Sequence, residues 1–257
     1  YNQLGQYSKA LEYLEQALSI TRKVTRKIKF RRRYKRGCGE GKLCDVLREP
    51  TIIKYTKRES IIILTESRVL NNIGQTYYNI GEYDKALGYF QQAFYIAKKN
   101  QISKVIEVNI ADIQDNIALV YLHQGEYDKS KKYYLQNLAI YQKNDDKLGQ
   151  ANALNNLGEV HRQLGKYPEA FNYLNQALEL FKIAKDYKGI GATLNNIGLV
   201  HDELGQLSKA LEFYQKSLKI RQENKDRIGV GTTLHNIALV YDQSKKYQQA
   251  LETYNQA

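Results

Sequence analysis

Gly125-Glu126-Tyr127-Asp128-Lys129-Ser130, Gly165-Lys166-Tyr167-Pro168-Glu169-Ala170 and Gly205-Gln206-Leu207-Ser208-Lys209-Ala210 follow one another at intervals of 40 residues, in step to the residue. Lys245-Lys246-Tyr247-Gln248-Gln249-Ala250 keeps the same beat. Gly81-Glu82-Tyr83-Asp84-Lys85-Ala86 stands 44 residues before Gly125, and Gly5-Gln6-Tyr7-Ser8-Lys9-Ala10 is a further copy. A fixed period in this range predicts a stacked solenoid, in which each unit buries its apolar face only against its neighbours. Extended arrays of this kind present binding surfaces.

The unit from Lys147 to Asp186 shows what is repeated. In its first half Leu154, Leu157, Val160, His161 and Leu164 fall at helical spacing on one face. Gly165 follows where a helix ends in the left-handed conformation. In its second half Ala170, Phe171, Leu174, Ala177, Leu178 and Phe181 recur at amphipathic helical spacing. Pro168 suits the first turn, where its missing N–H costs nothing. Asp84, Asp128, Ser8 and Ser208 occupy the same slot in other units and also suit a helix start. The unit is therefore expected to be a helix, a tight glycine turn and a second helix. Small residues, Gly158, Ala170 and Ala177, stand where the two helices must approach closely.

Leu154, Leu157, Gly158, His161, Gly165, Tyr167, Ala170, Leu174 and Ala177 together resemble the tetratricopeptide repeat (TPR), in the 40-residue form of kinesin light chains, Pins-type polarity adaptors and bacterial, including cyanobacterial, signalling proteins. The next unit matches with Leu194, Ile197, Gly198, His201, Gly205, Ala210, Tyr214 and Ser217, and the last with Leu234, Ile237, Ala238, Tyr241, Ala250, Tyr254 and Ala257. The resemblance implies an all-α, right-handed α-solenoid of antiparallel helix pairs, a TPR superhelix. The expected division is a partial unit over 1–20, a basic, irregular insertion or degenerate repeat over 21–60, and about five units over 61–257, the last truncated. Gln114, Ser130, Asn137 and Lys245 depart from the pattern. Lys245 replaces a turn glycine and is expected to carry backbone strain. The chain begins and stops inside a unit and holds no methionine, so it reads as a piece of a longer protein.

The net charge of +12 is concentrated. Residues 21–60 hold 15 Lys/Arg against 4 Asp/Glu, while the rest of the chain holds 24 against 23. The repeats are thus almost neutral, and nucleic acid is not their expected partner. The alternative reading is a nucleic-acid-associated protein acting through the basic arm at 22–36, with Phe30 and Tyr34 stacking on bases. A third reading is the regulatory region of a larger protease or kinase. Gly37-Cys38-Gly39-Glu40-Gly41-Lys42-Leu43 lacks the spacing and the Ser/Thr of a phosphate loop. Cys38 and Cys44 lack the usual zinc-ligand or redox spacing. Low cysteine usage suits a reducing, cytoplasmic location. No apolar run is long enough to span a membrane.

No catalytic constellation, metal site or cofactor loop is expected. His161 and His201 share a slot that Tyr121 and Tyr241 fill elsewhere, which marks a packing position with a polar tip. Tyr7, Tyr83, Tyr127, Tyr167 and Tyr247 follow the turns and are expected to staple the helices of a pair. One asparagine precedes the Leu/Ile-Gly/Ala pair of every first helix: Asn72, Asn116, Asn156, Asn196 and Asn236. A second precedes it at Asn71, Asn155 and Asn195. Asparagine is a mediocre helix former, so its recurrence asks for a reason. In the family resembled, this slot faces the concave groove, where similar rows hold the backbone of an extended peptide. A primary amide offers the donor and acceptor that a peptide backbone requires. Hydrogen bonding between the helices of adjacent units is the other explanation. Glu159, Arg162, Asp202, Glu203, His235 and Asp242 lie on the same face and would set selectivity, with local acidity around Asp202 and Glu203. The expected function is a non-catalytic scaffold for a protein or peptide partner.

Overall fold

The computed structural model describes residues 2–36, 57–99 and 104–257. Residues 37–56, with Cys38, Cys44, the Gly37–Leu43 stretch and much of the expected insertion, lie outside the described residues, as do the side chains of Phe30 and Tyr34. The described residues form α1 (Asn2–Arg36), α2 (Lys57–Ile80), α3 (Tyr83–Lys99), α4 (Lys104–His123), α5 (Tyr127–Lys143), α6 (Lys147–Gln163), α7 (Tyr167–Ala184), α8 (Tyr187–Glu203), α9 (Leu207–Glu223), α10 (Arg227–Gln243) and α11 (Tyr247–Tyr254). No strand occurs among them. This is the all-α array of helix pairs that the period predicts.

The chain divides into two compact units, Tyr1–Gln124 and Gly125–Ala257. In the first, α1 packs on α2, α2 on α3 and α3 on α4. Leu70, Ile73, Phe90, Ile113 and Val120 are fully buried there. α1 runs unbroken through Gly5, where the motif predicts a turn, and past residue 20. Only four residues precede Gly5 in this sequence, too few to make a helix that folds back on α1. Thr25 donates to Glu66 (3.2 Å) and Arg22 pairs with the same carboxylate at 3.6 Å, so part of the basic stretch ties α1 to α2.

In the second unit each helix packs on its sequence neighbours, and the first helices also touch one another, α6 with α8 and α8 with α10. Ala151, Leu154, Ala170, Leu174, Ala177, Leu178, Phe181, Ile190, Leu194, Ile197 and Val200 form one continuous core. Gly198 admits the Tyr214 ring, since a Cβ there would lie 2.5 Å from Cε1.

Two turns alternate. Within a pair, Gly81, Gly125, Gly165 and Gly205 hold φ between 68° and 88°. Lys245 adopts the same left-handed conformation, φ 58°, without being glycine. Between pairs the left-handed residue is Asp145, Lys185 or Lys225, followed by Asp146, Asp186 or Asp226 as the N-cap of the next first helix. These carboxylates accept from the backbone N–H of Gly149 (2.9 Å), Gly189 (3.2 Å) and Gly229 (3.1 Å), satisfying donors that the helix cannot. Tyr83 and Tyr167 staple their pairs as expected, Tyr83 against Tyr78 with ring centroids 5.5 Å apart and Tyr167 against the core. Tyr247 is 63% exposed.

Candidate functional site

The first helices bring the recurring asparagines into register. Asn116 Nδ2 donates to Asn71 Oδ1 at 2.9 Å in the first compact unit. In the second, Asn196 Nδ2 donates to Asn155 Oδ1 at 3.2 Å and Asn236 Nδ2 to Asn195 Oδ1 at 3.0 Å. The leading asparagine of one helix thus accepts from the trailing asparagine of the next first helix. Thr193 Oγ1 lies 3.0 Å from the same Asn155 oxygen. The leading Asn195 is 4% exposed, whereas Asn116, Asn156, Asn196 and Asn236 are half-buried and Asn72 is exposed. Hydrogen bonding between neighbouring helices therefore accounts for one edge of Asn196 and Asn236. The Oδ1 and second amide proton of each have no partner among the described residues.

Four of the charged candidates, Glu159, Arg162, Asp202 and Glu203, lie on α6 and α8, and Asp242 lies exposed on α10. Arg162 donates to Glu159 through Nε (2.8 Å) and Nη2 (2.5 Å), and through Nη1 to Glu203. The guanidinium is therefore a bridge between first helices. Burial pushes its pKa down, but the bonds and charges of Glu159 and Glu203 outweigh that and hold it up. Burial raises the Glu203 carboxyl, and Arg162 pulls it only partly back. Asp202 is also raised by burial, against a hydrogen bond from Gln243. Its Oδ1 is buried and without a partner. Nearby, the Tyr214 hydroxyl is likewise buried and unpartnered, and burial, then the Asp202 charge, drives its pKa well above the usual range. His235 is exposed and leans on Tyr254, with ring centroids 5.6 Å apart.

His161 and His201 sit against rings, as their shared slot implies. His161 lies 5.0 Å from Tyr173, and burial followed by the Lys131 charge lowers its pKa. His201 lies between Phe171 (4.8 Å) and Phe213 (5.2 Å), with Nδ1 2.8 Å from Gln206 Oε1. Among the described residues no cluster of His, Cys, Asp and Glu has metal-binding geometry. No described helix is long and apolar enough to cross a membrane.

Family models described as tetratricopeptide repeat match residues 109–183 and 189–257, residues 67–100 and residues 1–25. The chain belongs to the tetratricopeptide repeat family. No curated protein matches the sequence. Solved structures share the TPR fold at low identity. BtubC (BKLC) from P. vanneervenii is 17% identical, with TM-score 0.67 over 97% of this chain and 89% of that one. A Rap protein complexed with competence and sporulation factor is 16% identical, with TM-score 0.67 over 98% of this chain and 73% of that one. The nearly identical TPR-like repeats ascribed to a kinesin light chain of Podosopora anserina are 18% identical, with TM-score 0.55 over 74% of this chain and 92% of that one.

Several features of this TPR array were not anticipated from sequence. The Asp146, Asp186 and Asp226 caps recur at 40-residue spacing, and the glycine three positions on is the signal that could have exposed them. The Glu159–Arg162 pair is readable from its i, i+3 spacing. The Arg162–Glu203 bridge and the Gln243–Asp202 bond join different helices and leave no local signal.

Proposed function

We propose that this chain is a non-catalytic, cytoplasmic scaffold that holds an extended peptide segment of a partner protein along its first helices. The observation that carries this reading is the asparagine row of the second unit, Asn196 and Asn236, each bonded on one edge and open on the other. An open C=O and N–H side by side match one peptide unit whatever the side chain. The contacts of α6 with α8 and of α8 with α10 support assigning the concave side of the second unit to these helices. The Rap protein complexed with competence and sporulation factor shares this fold, which supports such a use of the array. Glu159, Asp202, Glu203 and Asp242 outnumber Arg162 on that face, so we assign it a preference for peptides with Lys or Arg opposite α8. We assign Asn156 and His235 to the same face, and Asn72 and Asn116 to the like slot in the first unit. We place 1–20 as a partial unit, 21–60 as an insertion or degenerate repeat, and 61–257 as the working array.

The test is a linear peptide selected by display against the wild-type chain, titrated against wild type and Asn156→Ala/Asn196→Ala. Two backbone bonds per asparagine, at about 1 kcal/mol each, predict a loss of at least about tenfold. Stability changes little, because the lost Asn196–Asn155 bond is offset by the better helix propensity of alanine. A double mutant that melts normally and binds the peptide with wild-type affinity overturns the reading.

A further inference from the structure

We infer that the leading asparagine of each pair, Asn155 and Asn195, is a positioning residue that fixes the amide of the trailing asparagine one repeat on, and does not itself touch the ligand. This rests on the groove reading above. A terminal amide rotates broadly about χ2, so an unheld asparagine presents either its oxygen or its nitrogen to a ligand. A single acceptor on one side removes that ambiguity. Asn155 Oδ1 receives Asn196 Nδ2 and Asn195 Oδ1 receives Asn236 Nδ2, which forces the trailing Oδ1 to the opposite edge. Asn71 and Asn116 repeat the arrangement in the first compact unit.

At 4% exposure Asn195 is out of reach of a ligand, while Asn196 and Asn236 keep part of their surface open. Asn155 is half-buried like them, and its Oδ1 is taken by Asn196 and Thr193. The sequence of the slot supports the same division. Its occupants ahead of another first helix are Asn71, Asp115, Asn155 and Asn195. The property these four share is an Oδ1 acceptor. Preorganising the trailing amide lowers the ordering cost of binding, which is where the affinity gain arises.

The experiment titrates a linear peptide, selected by display against the wild-type chain, against Asn155→Ala, Asn155→Asp, Asn196→Ala and the Asn155→Ala/Asn196→Ala double variant. Asn155→Leu, of similar shape without the oxygen, stands in if Asn155→Ala fails to fold. Asn155→Ala is expected to weaken binding about fivefold, the equivalent of one hydrogen bond. Asn155→Asp keeps the acceptor and stays within about twofold of wild type. The double variant binds no worse than Asn196→Ala, because Asn155 acts only through Asn196. In the free protein, NMR should show the Asn196 side-chain amide protons protected from exchange in wild type and Asn155→Asp, and unprotected in Asn155→Ala. Additive losses, or Asn155→Asp as damaging as Asn155→Ala, would mean that Asn155 contacts the ligand directly and overturn the inference. Asn196→Ala weakening binding while Asn155→Ala does not overturns the inference alone. If Asn196→Ala has no effect, the groove reading falls and this inference with it.

Discussion

Replacing Tyr214 by phenylalanine is expected to stabilise the array. Tyr214 is fully buried on α9, its ring against Gly198, and its hydroxyl meets no partner. A buried hydroxyl that has given up water without gaining a bond costs about 1–3 kcal/mol. The raised Tyr214 pKa has the same origin, desolvation followed by the charge of Asp202. Tyr214→Phe keeps the ring and removes the stranded oxygen. The space left is smaller than a methyl group, which limits the packing loss to a few tenths of a kcal/mol at about 24 cal/mol per Å³. The net expectation is a gain of about 1 kcal/mol, or about 2–4 °C in melting temperature for a chain of this size. The slot already accepts the substitution elsewhere, since Phe90 sits nine residues after Gly81 as Tyr214 sits nine after Gly205, and is fully buried. Denaturant unfolding followed by circular dichroism, with wild type and variant at matched m-values, measures the difference. A loss of about 1 kcal/mol or more would refute the reasoning, because it would mean that the hydroxyl is bonded in solution, through water or to Asp202.

Two further expectations concern the turn and the charge cluster. Lys245→Gly should raise stability by up to about 1 kcal/mol, since Lys245 holds φ 58° and makes the same turn bonds as Gly165, from its N–H to Asp242 O at 2.9 Å and from Lys246 N to Tyr241 O at 2.9 Å; an unchanged or lowered melting temperature counts against the strain. Asp202→Asn should stabilise at neutral pH and flatten the pH profile. The native state holds the Asp202 proton more tightly than the unfolded chain, so this contribution is full below the ordinary carboxylate range and is lost as pH rises through the raised native pKa. Unfolding curves from below the ordinary carboxylate range up to neutral pH check the sign. The difference between wild type and Asp202→Asn isolates the contribution of this carboxyl, and a difference that shows wild type losing stability on acidification contradicts the expectation.

The 40-residue beat of Gly125, Gly165 and Gly205 made the helix pairs legible, because a left-handed turn and a 3.6-residue apolar period are local requirements written into adjacent residues. The asparagine row was legible for the same reason. Its repetition marked the first-helix face, and the same spacing exposed Lys245 as a strained substitute for glycine. The sequence left open whether those asparagines serve a ligand or one another. The tertiary structure shows the bonds they make to one another, since a bond such as Asn236 to Asn195 joins residues 41 apart and depends on how successive first helices stack. Stacking likewise made Arg162 a bridge between Glu159 and Glu203, and stranded the hydroxyl of Tyr214. Periodicity along one helix can specify which face is buried. It carries no information on which polar atoms meet across two helices, because those distances are set by packing between repeats.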